Sequence, residues 1–353
     1  MNTRVERLAA AVGEQGLDAL LITNLPNLRW ATGFTGTNGI AVIGPDVRLF
    51  FTDFRYVEQA AEQVPDFERV RAGQNLLTDV AARLSGRVGF EDQWLSVRSH
   101  RRLQDALDGG PELSGASGII EGLREVKEPH EVEAMRAAAR IADQVYAELA
   151  EQGIAGRNEK ELAAALEVRM RELGAEDRSF PAIVASGAHG ALPHAVPRGA
   201  PVELDTFMIV DMGCVFDGYC SDCTRTFATG SVSDDALEVY ELVARAQLAA
   251  LDAVRAGADC RAVDSIARDI IAAAGHRDHF GHGLGHGVGL EVHEGPRLAQ
   301  SASGALRSGN AVTVEPGVYL PGAIGVRIED LVVVTDSGCD ILSGFTKSLV
   351  SLD

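Results

Sequence analysis

Apolar positions recur along the chain with two periods, and the switches between them mark its elements. Val5, Leu8 and Val12 are spaced for one face of a helix near the N-terminus. Ala19–Thr23 is a short apolar run suited to a buried strand. Ile40–Ile43 and Val47–Thr52 flank Gly44-Pro45-Asp46, a turn signal. Further apolar runs at Arg87–Phe90 and Gly118–Ile120 end in acidic or glycine residues. This alternation predicts a small α/β domain of roughly 120 residues. A boundary falls near Arg124-Glu-Val-Lys-Glu-Pro129, and Pro129 suits the first turn of a helix. Val132, Met135, Ala139, Ala142, Tyr146 and Leu149 then recur every three or four residues. A second helix begins near Glu159, carries Leu162, Leu166, Met170 and Leu173, and stops at Gly174. Strand-like segments follow at Phe180–Ala185 and Phe207–Asp211.

The order then repeats. Ser233 reads as the N-cap of a helix through about Arg255. Another helix spans about Ala262 to Ala274 and ends at Gly275. Strand-like segments return at Ala311–Glu315 and Gly325–Val334. Two rounds of helix, helix, strands predict a duplicated α+β domain. The expected division is 1–123 for the smaller α/β domain and 124–353 for the duplicated one.

Composition narrows the function classes. At ~150 residues per domain, 353 residues suit two domains. Apolar types make up 46% of the chain and charged types 24%, an ordinary globular balance. The 51 acidic residues outnumber the 32 basic ones, for a net charge of −19. Such a surface argues against nucleic acid or an anionic membrane as partner. No stretch resembles a secretory signal or a transmembrane span. The five cysteines are odd in number and three lie within ten residues, a poor disulfide framework. A cytoplasmic protein with reduced thiols is expected. Cys220 and Cys223 form a CxxC without a second pair, so they read as packing residues and not as a zinc site.

The chemistry concentrates in three places. Ile209–Phe227 reads as two strands around Asp217-Gly218, a preferred type I′ turn. With that turn, Phe216 faces Tyr219 and Gly213 faces Asp222. Asp211 shares a face with Gly213, so Asp211 and Asp222 become diagonal neighbours ~7–8 Å apart. Carboxylates so placed can share cations ~3.5–4 Å apart. A pair of strand aspartates more often faces solvent, but aspartate is a poor strand former on an apolar hairpin.

Five of the nine histidines lie between His276 and His293. Glycine at 281, 283, 285, 287 and 289 disfavours a helix there and lets the backbone approach a site closely. Glu315 closes an apolar strand at Val-Glu-Pro-Gly317, and Glu329 lies in Arg-Ile-Glu-Asp330. Alternation puts Arg327 and Glu329 on one face, with Val326 and Ile328 on the other. Either glutamate could be a plain ion-pair partner. Both follow β-branched residues, where a charge is costly unless paired or bound to metal. Two aspartates, two glutamates and one histidine suit two divalent ions, and the residues by themselves support a dinuclear metal hydrolase.

The same residues carry a family likeness. Asp211, Asp222, His286, Glu315 and Glu329 resemble the five-ligand signature of the pita-bread metallopeptidases, which include methionine aminopeptidase, aminopeptidase P, prolidase and the metal-free creatinase. Val-Asp-Met-Gly213, Ser-Asp-Cys-Thr-Arg-Thr-Phe227, Gly-His-Gly-Val-Gly-Leu-Glu-Val-His-Glu294, Val-Glu-Pro-Gly317 and Arg-Ile-Glu-Asp330 surround them. Asn27–Gly36 and Thr52–Tyr56 resemble a creatinase-type N-terminal domain, and Leu123–Pro129 the linker that follows it. Methionine aminopeptidases generally lack that domain, so the likeness points to the proline-specific branch.

The resemblance implies a pita-bread catalytic domain behind a creatinase-like one. It implies two divalent ions, with manganese expected and cobalt, zinc or iron as alternatives. Glu315 would also act as the proton carrier. His293 and His194, the latter in Leu192-Pro-His194, would stabilise the oxyanion, and His282 and Arg327 would line the proline pocket. The expected reaction is release of the N-terminal residue from small peptides with proline second, as in aminopeptidase P. The alternative is a Xaa-Pro dipeptidase (prolidase) restricted to dipeptides. Creatinase-like chemistry without metal and a non-catalytic binding module are more distant, since such relatives lose ligands that are all present here. Family likeness also suggests a homodimer.

Overall fold

A computed structural model describes residues 3–73 and 75–352. The chain divides between Arg124 and Glu125 into two compact units. The first contains α1 (Arg4–Glu14), β1 (Ala19–Ile22), α2 (Leu25–Thr32), β2 (Gly39–Gly44), β3 (Val47–Thr52) and α3 (Val57–Gln63). It continues with β4 (Glu68–Arg71), α4 (Leu76–Ala81), β5 (Arg87–Phe90), α5 (Val97–Leu107), β6 (Glu112–Gly115) and α6 (Ile119–Arg124). Its six strands form one mixed sheet in the order β4-β3-β2-β1-β5-β6. The apolar run at Gly118–Ile120 opens α6. Glu121, in the first turn of α6, accepts from the Asn27 amide at 2.7 Å.

In the second unit, α7 (Pro129–Gln152) starts at its proline, and α8 (Glu159–Glu172) is capped by Asn158. Then come β7 (Asp177–Arg178), β8 (Ile183–Ser186), β9 (Phe207–Met212), β10 (Cys214–Phe216), β11 (Tyr219–Cys220) and β12 (Cys223–Ala228). The second helix pair is α9 (Asp234–Ala253) and α10 (Cys260–Ala273), capped by Ser233 and Asp259. Such a cap accepts an otherwise unpaired helix N–H and is worth about 1 kcal/mol. The last strands are β13 (Gly285–Gly287), β14 (Glu294–Leu298), β15 (Ala311–Val314), β16 (Gly317–Leu320), β17 (Ile324–Arg327), β18 (Asp330–Val334) and β19 (Cys339–Ile341).

Each helix pair has its own core. Tyr146, Leu149, Leu162 and Met170 pack on Val184, Val210 and Phe227. Val243, Ala250, Val263 and Ile271 pack on Val312, Val326 and Val332. The sheets are β12-β9-β8, β11-β10-β7, β14-β13-β15-β18-β19 and β16-β17. This is the duplicated α+β arrangement expected from the pattern.

Two strand expectations need correction. The expected strand at 180–185 starts only at Ile183 and runs on to Ser186, because Pro181 has no N–H for a ladder. The segment 325–334 is two strands broken at Ile328-Glu329. There the Glu329 N–H donates across to the Thr224 carbonyl at 3.1 Å. Arg327 and Glu329 still line one cavity, as their alternation predicts.

Candidate metal centre

The hairpin carrying two of the expected ligands forms in the expected register. Asp217 and Gly218 have φ of 46° and 76°, as a type I′ turn requires. Phe216 pairs with Tyr219, Met212 with Cys223 and Asp211 with Thr224, one continuous register. Gly213 lets the strands cross: a Cβ there would lie 1.9 Å from the Ser221 carbonyl oxygen. Asp211 and Asp222, both buried, therefore face one cavity from opposite arms.

The glycine-rich segment supplies the histidine from β13. His286 Nδ1 faces the Gly287 carbonyl at 3.0 Å. A carbonyl only accepts, so Nδ1 carries the proton and Nε2 keeps its lone pair. That Nε2 lies 3.6 Å from Asp222 and 3.4 Å from Glu315. Burial lowers the His286 pKa to about 4, so the ring is neutral at pH 7, the form a metal needs. Glu315 follows β15 and accepts from the Thr313 hydroxyl at 3.2 Å. Glu329, 2% exposed, accepts from the Thr224 hydroxyl at 2.7 Å. Its backbone carbonyl is held by the buried Arg225 guanidinium.

Four carboxylates thus share one buried place, and the electrostatics show the strain. Burial, then the neighbouring carboxylates, push Asp222 and Glu329 well above the usual carboxylate range. Burial raises Glu315 to about 8. Among the described residues, ligand atoms of Asp222, His286 and Glu329 lie within 4.8 Å of one another. Asp211 Oδ1 is buried with no hydrogen-bond partner. Repelling oxygens, a neutral imidazole and an orphaned carboxylate oxygen fit divalent cations of intermediate hardness.

Arg327, 4% exposed, is more committed than the sequence suggested. It donates to Asp211 Oδ2 at 2.7 Å, the Thr224 hydroxyl at 3.0 Å, the Tyr319 hydroxyl at 2.8 Å and the Pro193 carbonyl at 3.1 Å. Tyr319 then gives its own proton to His282 Nε2 at 3.0 Å. His282 keeps a proton on Nδ1, 2.8 Å from the Gly283 carbonyl. Tyr319 escaped the sequence reading. Glu315, Gly317 and Tyr319 alternate on one face, and a Cβ on Gly317 would sit 2.6 Å from the tyrosine hydroxyl.

A cavity of about 610 Å³ opens on these groups. His194, His282, His286, His293 and Arg327 line it with Phe180, Pro181, Ile183, Val196 and Val292. The His293 ring stands edge-on to His286, centroids 4.4 Å apart. His276 and His279 are elsewhere and contact each other at 3.0 Å. So the structure brings together all nine residues expected at the site, while two of the five clustered histidines lie outside it. All five cysteines are free. No helix among the described residues is long and apolar enough to cross a membrane.

Known proteins resemble this chain along both of its units. Residues 133–336 match the model of metallopeptidase family M24, and residues 4–126 match the Creatinase/Prolidase N-terminal domain. A solved Xaa-Pro dipeptidase from Bacillus anthracis is 40% identical, with a TM-score of 0.96 over 99% of each chain. An X-Pro aminopeptidase from Thermotoga maritima is 36% identical, with a TM-score of 0.90 over 99% of this chain and 100% of the other. The Xaa-Pro dipeptidase of Pyrococcus horikoshii is 33% identical over 99% of each chain. With these likenesses spanning both units, the chain belongs to metallopeptidase family M24 and carries a Creatinase/Prolidase N-terminal domain.

Proposed function

We propose that this metallopeptidase is a dinuclear Xaa-Pro dipeptidase, a prolidase. The observation that carries the reading is the set Asp211, Asp222, His286, Glu315 and Glu329 around one cavity with a proline- and valine-lined wall. The choice of dipeptidase over the aminopeptidase expected from sequence follows the names of its relatives. The Bacillus and Pyrococcus proteins are called dipeptidases, whereas the Thermotoga protein, an X-Pro aminopeptidase, supports the second reading.

Asp211 and Glu329 would bridge or chelate, Asp222 would chelate one ion, and His286 and Glu315 the other, manganese being the proposed metal. Bound there, divalent ions polarise a carbonyl oxygen and lower the pKa of water. Glu315 would take the proton of the attacking water and pass it to the leaving proline nitrogen. His293 and His194 would donate to the developing oxyanion. Arg327 and Tyr319 would hold Asp211 and His282 in place at the wall that receives proline. The Xaa-Pro bond is a tertiary amide without N–H, so peptidases that need that donor handle it poorly, and a dedicated pocket makes chemical sense.

A chain-length series tests the choice. Manganese-loaded protein should hydrolyse Xaa-Pro dipeptides and leave Xaa-Pro-Xaa tripeptides intact. Efficient release of the first residue from tripeptides would favour the aminopeptidase.

A further inference from the structure

The histidine segment is poorly fixed by its own backbone. Residues 281–289 hold five glycines and one three-residue strand, with a bulge between His286 and Gly287. Two buried ion pairs hold its ends. Upstream, Arg268 on α10 pairs with Asp264 at 2.8 Å and donates to the carbonyls of Phe280 and His282 at 2.9 and 2.7 Å. Asp264 in turn accepts the Leu284 N–H at 3.0 Å.

Downstream, Lys127 Nζ lies 3.0 Å from Glu294 Oε2, with side chains only 1% and 6% exposed. Charges that deep persist because they are paired. Glu294 Oε1 accepts the Glu291 N–H at 3.0 Å. The Glu291 carbonyl accepts from Gly289 N–H at 3.0 Å, and the Gly289 carbonyl accepts from Cys220 N–H at 2.7 Å. The Glu294 carboxylate occupies the space of a Cβ on Gly289, 2.6 Å away. Lys127 is itself tied down, its N–H donating to the Gly309 carbonyl at 2.8 Å. His293 sits inside this clamped loop, against His286.

We propose that Lys127 is a positioning residue: its buried ion pair with Glu294 shapes the loop 288–293 and so aims His293 at the scissile carbonyl. The role in turnover rests on the peptidase reading above; the shaping of the loop does not. Lys127→Met removes the cation, Glu294→Gln removes the anion while keeping shape and an acceptor, and Lys127→Arg restores a charge. Amide hydrogen exchange of the metal-free proteins should show lost protection confined to 288–293 in the first two variants, with α10 unchanged. With manganese bound, kcat should fall about 100-fold, as for a group displaced by about 1 Å, while KM and metal content stay at wild-type values. Lys127→Arg should recover part of kcat. If Lys127→Met does not fold, Glu294→Gln carries the test alone. Protection unchanged at 288–293, or lost evenly across the unit, would overturn the clamp, as would full kcat in a variant whose loop has loosened. A wild-type protein inactive on Xaa-Pro dipeptides would sink the functional reading and still leave the exchange comparison decisive.

Discussion

Glu315→Gln should stabilise the metal-free protein and destabilise the metal-loaded one. Burial raises the Glu315 carboxyl from an ordinary 4.5 to about 8. The folded state therefore keeps this proton up to about pH 8, whereas the unfolded chain releases it above 4.5. The folded state binds more protons between these values, so stability falls as pH rises through them. At pH 7 the folded carboxyl is still mostly protonated and the unfolded one ionised. The loss then corresponds to about 2.5 pH units, or about 3 kcal/mol. Glutamine cannot ionise and escapes that loss, while its carbonyl can still accept from Thr313. For a unit of roughly 230 residues, about 3 kcal/mol is a rise of about 6–12 °C in Tm. The rise should vanish near pH 4. With manganese bound the order inverts, because the charged oxygen then stabilises the folded state through the metal. Calorimetry at pH 4 and pH 7, with chelator and with manganese, reads all four cases. A metal-free Glu315→Gln that melts below wild type at pH 7 would refute the electrostatic account.

Other outcomes follow from the same geometry. Asp222→Asn should lower bound metal, read by elemental analysis, while the fold seen by far-UV circular dichroism persists. Gly213→Ala places a Cβ 1.9 Å from the Ser221 carbonyl and should cost about 1–3 kcal/mol, with weaker metal binding although every ligand remains; calorimetric titration checks both. Metal affinity should rise with pH up to about 8, since Glu315 must lose its proton to bind, and binding should release protons into the buffer.

Much of the site was legible because local chemistry set it. Asp217-Gly218 forces the turn, the turn sets the register, and the register puts Asp211 and Asp222 on one face. Ser233 marked its helix for an equally local reason. The strand break at Ile328-Glu329 was not legible, because it depends on a bond to Thr224 from a distant strand. Ile119-Ile120 looked like other apolar runs, and contacts from Glu121 to Asn27 accompany its helix. Tyr319 and Lys127 were missed for a similar reason. A tyrosine and a lysine carry no motif by themselves, and their partners lie 37 and 167 positions away at His282 and Glu294. The net charge of −19 says little about the site, since only four of the 51 acidic residues are proposed to work there.

These carboxylates and His286 are proposed to make the protein a metal-dependent Xaa-Pro peptidase. The most direct test is hydrolysis of a Xaa-Pro dipeptide by protein stripped with chelator, then titrated with manganese. Turnover should be absent in the stripped protein and complete at two ions per chain. Undiminished hydrolysis by the stripped protein, or none at any metal loading, would contradict this proposal.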